Sequence, residues 1–242
     1  MIFGSRRLLK PSWIISHIFV LALIVSTINL GFWQLRRLEE RKSNNSQISE
    51  VINSDPIKID TVVSGGIGTT QNFLPVTAKG TFDENHQFYL INRSRDGAPG
   101  VEVITLFKLT TEPVSYVAVN RGYLPSKIFN NDQSETWKPA SREVQINGFV
   151  MLPFSDGKLN GNEINRIDID LLSDEWDVSL LPVYLQETQK SDDQWPLGLD
   201  PPELTEGPHL AYAVQWFIFS VIGLIGYPLV LRRVVADDRL VA

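Results

Sequence analysis

The 242-residue sequence contains no cysteine, two methionines and three histidines. Without cysteine the chain can form neither a disulfide nor a thiolate metal site, and CxxC redox chemistry is excluded. Two methionines are too few for a copper carrier that relies on soft ligands. Only one histidine, His86, lies between residues 36 and 207. A zinc site or a Ser-His-Asp triad in that region would therefore depend on this one side chain.

Charged side chains are absent from residues 11–35 and 208–231. About 20 apolar residues in a helix cross the ~30 Å hydrocarbon core of a bilayer, and both stretches reach that length. They predict two transmembrane helices, at 13–35 and 208–231. The first stretch is followed by GFWQLRRLEERK instead of a small-residue cleavage site, which favours an anchor over a cleaved signal peptide.

The two predicted spans divide the chain into five parts. These are a tail at 1–12, a span at 13–35, a polar body at 36–207, a span at 208–231 and a tail at 232–242. Residues 43–207 carry 24 Asp and Glu against 12 Lys and Arg, a net charge of −12. Such an acidic body offers no basic surface for nucleic acid. Basic residues near the two tails slightly outnumber those at the other ends of the spans, which favours cytoplasmic tails and an external body.

The body contains short runs rich in β-branched and aromatic residues, such as HQFYLINR, VEVITLFKL and VSYVAVNRGYL. Turn-forming segments separate these runs, as expected for consecutive strands. One short helix is predicted at 168–174. The predicted fold is therefore a membrane protein in which N- and C-terminal transmembrane α-helices flank an antiparallel β-rich α+β domain outside the cytoplasm.

Three arginines lie at the ends of predicted strands. Arg93 and Arg95 occur in LINRSRDGAPG, and Arg121 occurs in VNRGYLP. A guanidinium forms bidentate hydrogen bonds with carboxylates and phosphates. These residues either clamp a turn to a neighbouring strand, or they recognise an anionic group on a ligand or acidic residues on a partner.

His209 begins the second apolar stretch. At 100° per residue it falls on one helical stripe with five other residues. These are Ala213, Trp216, Ser220, Gly223 and Tyr227. The small residues allow either close packing with another helix or a groove that holds a flat ligand. His17 is predicted to lie at the opposite end of the helices, ~27 Å of helix from Leu35, so the two histidines of one chain cannot share one iron.

Four motifs occur in fixed order between the two apolar ends: GFWQLRRLEERK (31–42), FYLINRSRDGAPG (88–100), VNRGYLP (119–125) and PHLAYAVQWF (208–217). Together they resemble the surfeit locus protein 1 family of cytochrome c oxidase assembly factors, in its bacterial form. The resemblance spans nearly the whole chain and is least diagnostic at about 126–200. It implies a non-enzymatic protein of the bacterial plasma membrane that assists haem a binding or delivery to the catalytic subunit of the oxidase. The implied partners are that subunit, other oxidase biogenesis factors and membrane lipid.

The resemblance also implies site residues. The histidine that opens the second helix is the family's candidate ligand for the iron of haem a, and here it is His209. The family's tyrosine, glutamine and tryptophan match Tyr212, Gln215 and Trp216, of which Tyr212 and Trp216 are expected to flank the ring. One departure concerns the family's G-Y-H-V-x-T-P motif, where this chain reads GVEVITLF with Glu102. A role for that histidine therefore cannot be transferred, and a haem ligand from the body is not expected.

Two other functions remain open at the level of sequence. A scaffold could bind oxidase subunit intermediates without haem, through helix packing, the arginine-bearing strand ends and Gln215. A membrane-anchored hydrolase would have to use His86, but the chain has no G-x-S-x-G nucleophile motif.

Overall fold

A computed structural model describes residues 6–65, 72–131, 134–188 and 195–241. Parts of both predicted tails, residues 1–5 and 242, lie outside the described residues. The chain divides into two compact units. The first comprises Met1–Gln47 and Leu204–Ala242, and the second comprises Ile48–Glu203.

Helices dominate the first unit and strands the second. The helices are α1 (Pro11–Ile52), α2 (Ile59–Gly65), α3 (Ser126–Phe129), α4 (Ile169–Trp176) and α5 (His209–Val241). The strands are β1 (Ile57–Lys58), β2 (Pro75–Arg95), β3 (Ala98–Leu109), β4 (Tyr116–Pro125), β5 (Val144–Met151), β6 (Leu159–Asn160), β7 (Glu163–Ile164) and β8 (Leu180–Glu187).

The two long apolar helices predicted from the sequence are present, and each extends beyond its predicted span. Helices Pro11–Ile52 and His209–Asp237 are long and apolar enough to cross a membrane. α1 continues past residue 35 because residues 32–52 contain neither glycine nor proline. Arg37 and Glu40 add an ion pair of 2.6 Å across one turn. The predicted membrane boundaries themselves stay predictions.

The stripe of α5 that contains His209 packs against α1. Ala213 and Ser220 are almost fully buried there, and the Ser220 hydroxyl lies 2.8 Å from that of Thr27. A Cβ added at Gly223 would come 2.9 Å from the Ile24 side chain, so the absence of a side chain allows the close approach. Of the two interpretations of the stripe, the structure therefore supports helix packing.

The two histidines of the first unit lie at opposite ends of this antiparallel helix pair. Nδ1 of His17 is 2.5 Å from the hydroxyl of Tyr227. Nδ1 of His209 is 2.9 Å from the side-chain oxygen of Gln34. The predicted separation of His17 from His209 is thus confirmed.

Strands of the second unit form a sheet that closes on itself. The pairings run β2–β3–β4–β8–β5 and return from β5 to β2. A hydrophobic core fills the ring, built from alternate residues of these strands and from α2. Its largest fully buried members include Phe107, Ile59 and Leu185. A second cluster, which includes Leu172 and Trp176 of α4, covers the other face of part of the sheet.

The expectation of an antiparallel sheet is only partly right, because the sheet is mixed. β8 runs parallel to β4, β1 runs parallel to β2, and β7 runs parallel to β2. β8 is antiparallel to β5 and parallel to β4. It is separated from β4 in sequence by β5, β6, β7 and α4, and two parallel strands need a long connection of this kind. The predicted short helix at 168–174 is present as α4, and the Asp168 side chain caps its N-terminus.

Local turn chemistry fixes two neighbouring features of the sheet. Asp96 and Gly97 join β2 to β3 with positive φ at both positions, as a two-residue hairpin turn of type I′ requires. Gly122 in β4 also has positive φ, but for another reason. The carbonyl of Leu197 passes directly over it, where an added Cβ would lie 2.0 Å from the oxygen. Tyr123 and Leu197 exchange two backbone hydrogen bonds of 2.7 and 2.9 Å that hold this crossing.

Gly122→Ala is expected to lower the free energy of unfolding by about 3 kcal/mol, because the methyl group adds steric overlap to backbone strain. Gly97→Ala is the matched control. It has the same sign of φ but nothing within 4 Å of the added Cβ, so a loss of only about 1 kcal/mol is expected. Urea titration of the full chain in detergent, followed by circular dichroism, measures both. Equal losses in the two variants would contradict the close approach of Leu197.

Candidate functional site

His209 is the first residue of α5 and is half-buried. Its Nδ1 lies 2.9 Å from Oε1 of Gln34 on α1. An amide oxygen only accepts hydrogen bonds, so Nδ1 carries the proton and donates. In the neutral imidazole Nε2 then keeps its lone pair, which is the form that binds a metal ion.

The turn before α5 leaves space beside this nitrogen. Gly207 has a φ of +70°, and an added Cβ there would lie 3.6 Å from Nε2 of His209. The turn is fixed to α1 by hydrogen bonds from Arg41 and Asn45 to the Thr205 carbonyl, at 3.2 and 3.0 Å. The position of His209 therefore depends on both helices of the first unit.

A polar cavity of about 260 Å³ adjoins His209. It is lined by Arg37, Glu40, Arg41, Asn44, Gly207 and His209. Ligand pockets for drug-sized molecules usually measure about 300–1,000 Å³. The cavity is thus large enough for a polar substituent of a ligand but not for a large flat ring.

The other predicted residues of α5 lie further along the helix. Tyr212 and Gln215 are exposed, and Tyr212 has 48% of its surface accessible. Trp216 is half-buried, and its ring contacts Phe219 edge-on at a centroid distance of 5.8 Å. Tyr212 and Trp216 are one helical turn apart, so their rings form neighbouring parts of one surface.

Two of the three predicted arginines clamp strand ends. Nε of Arg93 lies 3.5 Å from Glu102, whose other oxygen accepts a 2.6 Å hydrogen bond from Asn120. Arg95 donates to the Gly198 carbonyl at 2.9 Å and lies 3.4 Å from the Asp200 carboxylate. These contacts connect β2 with β3 and β4 and with residues 198–200.

Arg121 has a different environment from the other two arginines. Only 5% of its surface is exposed, and its guanidinium lies 5.3 Å from the centre of the Phe82 ring. Burial lowers the pKa of Arg121 to about 10, although interactions with Glu187 and Tyr89 oppose this shift. The side chain remains charged at neutral pH.

His86 has one acidic partner. Its Nδ1 lies 2.8 Å from Asp83, and its ring meets Trp176 edge-on. No serine or threonine hydroxyl of the described residues forms a hydrogen bond with its Nε2. Within the same residues, no group of three or more His, Asp or Glu side chains converges in a way that could hold a metal ion.

Gln34 is the site residue that the sequence did not single out. It lies 175 positions from His209 in the chain, and nothing in either local pattern indicates the pairing. The only available signal was its place in GFWQLRRLEERK, one of the four motifs that carry the resemblance.

Comparison with known proteins gives a consistent result. A family model described as "SURF1 family" matches residues 21–221, a range that includes Gln34 and His209. A SURF1-like protein of Rickettsia felis is 26% identical over 91% of this chain and 99% of its own length. An uncharacterised SURF1-like protein of Mycobacterium bovis is 26% identical over 90% of this chain and 83% of its own length. Surfeit locus protein 1 of Arabidopsis thaliana is 29% identical over 57% of this chain and 39% of its own length.

The tautomer of His209 can be measured directly, since the chain has only three histidines. In protein labelled with ¹⁵N-histidine, two-bond ¹H–¹⁵N correlations are expected to show the proton of neutral His209 on Nδ1. Gln34→Leu removes the acceptor and is expected to shift the proton towards Nε2. Tyr227→Phe is the control, since it alters the partner of His17 and should leave His209 unchanged. A proton on Nε2 in the unmodified chain would contradict the assignment.

Proposed function

Because the chain belongs to the SURF1 family, which is known generally for cytochrome oxidase assembly factors, we propose that it is a membrane-anchored assembly factor for haem–copper cytochrome c oxidase that holds haem a through His209. The proposed activity is binding and transfer to the catalytic subunit, without enzymatic chemistry. Other biogenesis factors of the oxidase and membrane lipid are the further partners.

The exposed surface of the helix pair supports a membrane location. Large apolar side chains are exposed along both helices, including Ile15, Phe19 and Leu21 of α1 and Ile222 and Leu224 of α5. So much exposed apolar surface is unfavourable in water and is typical of contact with lipid or with other membrane helices. We place both termini in the cytoplasm of a bacterial cell and the second unit outside it, in line with the distribution of basic residues.

The pairing of His209 with Gln34 is the observation that carries the haem proposal. It orients the imidazole and keeps the proton on Nδ1, so that Nε2 is available as a ligand. The absent side chain at Gly207 leaves room beside that nitrogen. Bound haem a would supply an iron atom with a coordination position for this nitrogen.

Neighbouring groups of the first unit suit the rest of such a ligand. Arg37 and Arg41 line the small cavity beside His209 and can donate hydrogen bonds to carboxylate substituents. Tyr212 and Trp216 offer aromatic surface along α5 for an apolar ring. A single protein ligand on a partly exposed surface favours moderate affinity, which suits transfer better than permanent binding.

A scaffold without haem is the second candidate. The observation in its favour is that Tyr212, Val214 and Ile218 of α5 are about half exposed although the helix is packed on α1. This surface could contact a transmembrane helix of an oxidase subunit. The spectroscopic experiment below separates the two functions.

The proposed topology can be tested with single cysteines, because the chain contains none of its own. A membrane-impermeant maleimide is expected to label Ser155→Cys in intact spheroplasts. Ala236→Cys, near the end of α5, is expected to react only after the membrane is permeabilised. Both positions are exposed in their units, so the comparison reports sidedness. Labelling of Ala236→Cys alone in intact spheroplasts would contradict the proposed orientation.

The haem proposal predicts a graded series of visible spectra for protein purified from cells that make haem a. His209→Ala is expected to abolish the haem spectrum. Gln34→Leu is expected to weaken haem retention about 10- to 100-fold, as is usual when the partner of a ligating histidine is removed. Gln34→Glu keeps an acceptor for Nδ1 and should retain haem.

His17→Ala is the matched control, because His17 lies at the other end of the same helix pair. It should leave the spectrum unchanged. If the unmodified chain contained no haem while oxidase assembly still required the protein, the scaffold would replace the haem-binding function.

A further inference from the structure

A second cavity, of about 480 Å³, lies within the second unit. Its apolar walls are formed by Phe82, Ile146, Trp195 and Pro196. Its charged lining side chains are Arg121, Lys138 and Arg142, and no carboxylate of the described residues lines it. Since acidic residues outnumber basic ones two to one in residues 43–207, this lining is opposite in sign to its surroundings.

Arg121 contributes a buried charge with incomplete hydrogen bonding. Nη2 donates to the Trp137 carbonyl at 2.8 Å, and Nη1 lies 3.4 Å from the side-chain oxygen of Gln87. Nε is buried and has no hydrogen-bond partner. Both hydrogen-bond partners are neutral. The carboxylate of Glu187 opposes the effect of burial, but the pKa of Arg121 still falls to about 10, so the buried charge is only partly compensated. An anion in the cavity would add to this compensation.

Arg142 provides a second charge that is available to a ligand. It is exposed, and it forms no ion pair with any other residue that the structure describes. Lys138, by contrast, lies 3.1 Å from Glu84 and 3.8 Å from Glu135. The free positive charge of the cavity therefore comes mainly from Arg121 and Arg142.

We propose that this cavity binds a small organic anion. One carboxylate or phosphate group would be held by Arg121 and Arg142, and a flat apolar body would contact Phe82, Trp195 and Pro196. The volume falls within the range usual for small-molecule sites, and apolar walls with a few polar groups are typical of such sites. Every lining residue belongs to the second unit, so the proposal does not depend on haem binding at His209.

Titration calorimetry of the full chain in phosphatidylcholine nanodiscs tests this site. The probes are 2-naphthoate and 2-naphthyl phosphate, which distinguish a carboxylate from a phosphate ligand. We expect saturable binding of at least one of them. The uncharged 2-naphthamide should bind about 10-fold more weakly, because it lacks the charge-assisted hydrogen bond. Inorganic phosphate, which lacks the apolar body, should also bind more weakly.

Three variants locate the binding. Arg142→Gln is expected to weaken binding about two- to fivefold, as for an exposed ion pair, and Arg121→Lys about 10-fold or more. Arg166→Gln is the matched control, since it removes an exposed arginine that does not line the cavity. Because Arg142 is exposed, its variant remains informative even if Arg121→Lys fails to fold.

Several results would overturn the proposal. One is equal affinity for naphthamide and both anions, and another is equal affinity for inorganic phosphate. A third is an equal loss of binding in Arg166→Gln and Arg142→Gln, and a fourth is the same heat with empty nanodiscs. Each of these results would mean that the cavity does not select an organic anion.

Discussion

Ring closure through one long strand is the constraint on which the second unit depends. β2 pairs with β3 along most of its 21 residues and with β5 through Pro75–Gly80. These two pairings close the ring, because β3 and β5 are also linked through β4 and β8. Closure leaves these five strands without a continuous free edge and encloses a single core. It also brings Phe82 of β2, Arg121 of β4 and Ile146 of β5 to the same cavity.

Three polar pairs in the first unit set the register of α1 and α5. His17 contacts Tyr227, Thr27 contacts Ser220, and Gln34 contacts His209. Apolar side chains alone define the register of two helices poorly, whereas a polar group in apolar surroundings requires one particular partner. The pair at one end of this series, Gln34 and His209, also positions the imidazole that is the candidate ligand of the haem iron. Helix packing and ligand geometry are therefore determined by the same contacts.

Local patterns predicted the local structure of this chain well. The long runs without charge predicted α1 and α5, and the turn signal RDGAPG marks the hairpin between β2 and β3. The mixed character of the sheet was not predictable, because the position of β8 between β4 and β5 depends on packing across the whole unit. Hydropathy predicts where the apolar part of α1 ends, near residue 35, but it does not predict that the helix continues to Ile52.

The candidate sites, too, could be predicted from the sequence only in part. The sequence drew attention to His209 and Arg121, but their surroundings come from distant parts of the chain. Gln34 meets His209 across 175 positions, and the residues that line the cavity at Arg121 range from Phe82 to Pro196. Arg93, Arg95 and Arg121 look alike in sequence, yet two of them clamp strand ends whereas the third is buried beside a cavity. Only three-dimensional packing separates these roles.

The order of the chain has a consequence for biosynthesis. Gln34, in α1, is translated early, whereas His209 is translated only after the entire second unit. The ring of strands needs no residue of α5 and can close before that helix has left the ribosome. The histidine and its acceptor meet only when the last helix has joined the first. A chain that stops before α5 would therefore contain all strands of the second unit but not His209, the residue through which we propose that haem a is held.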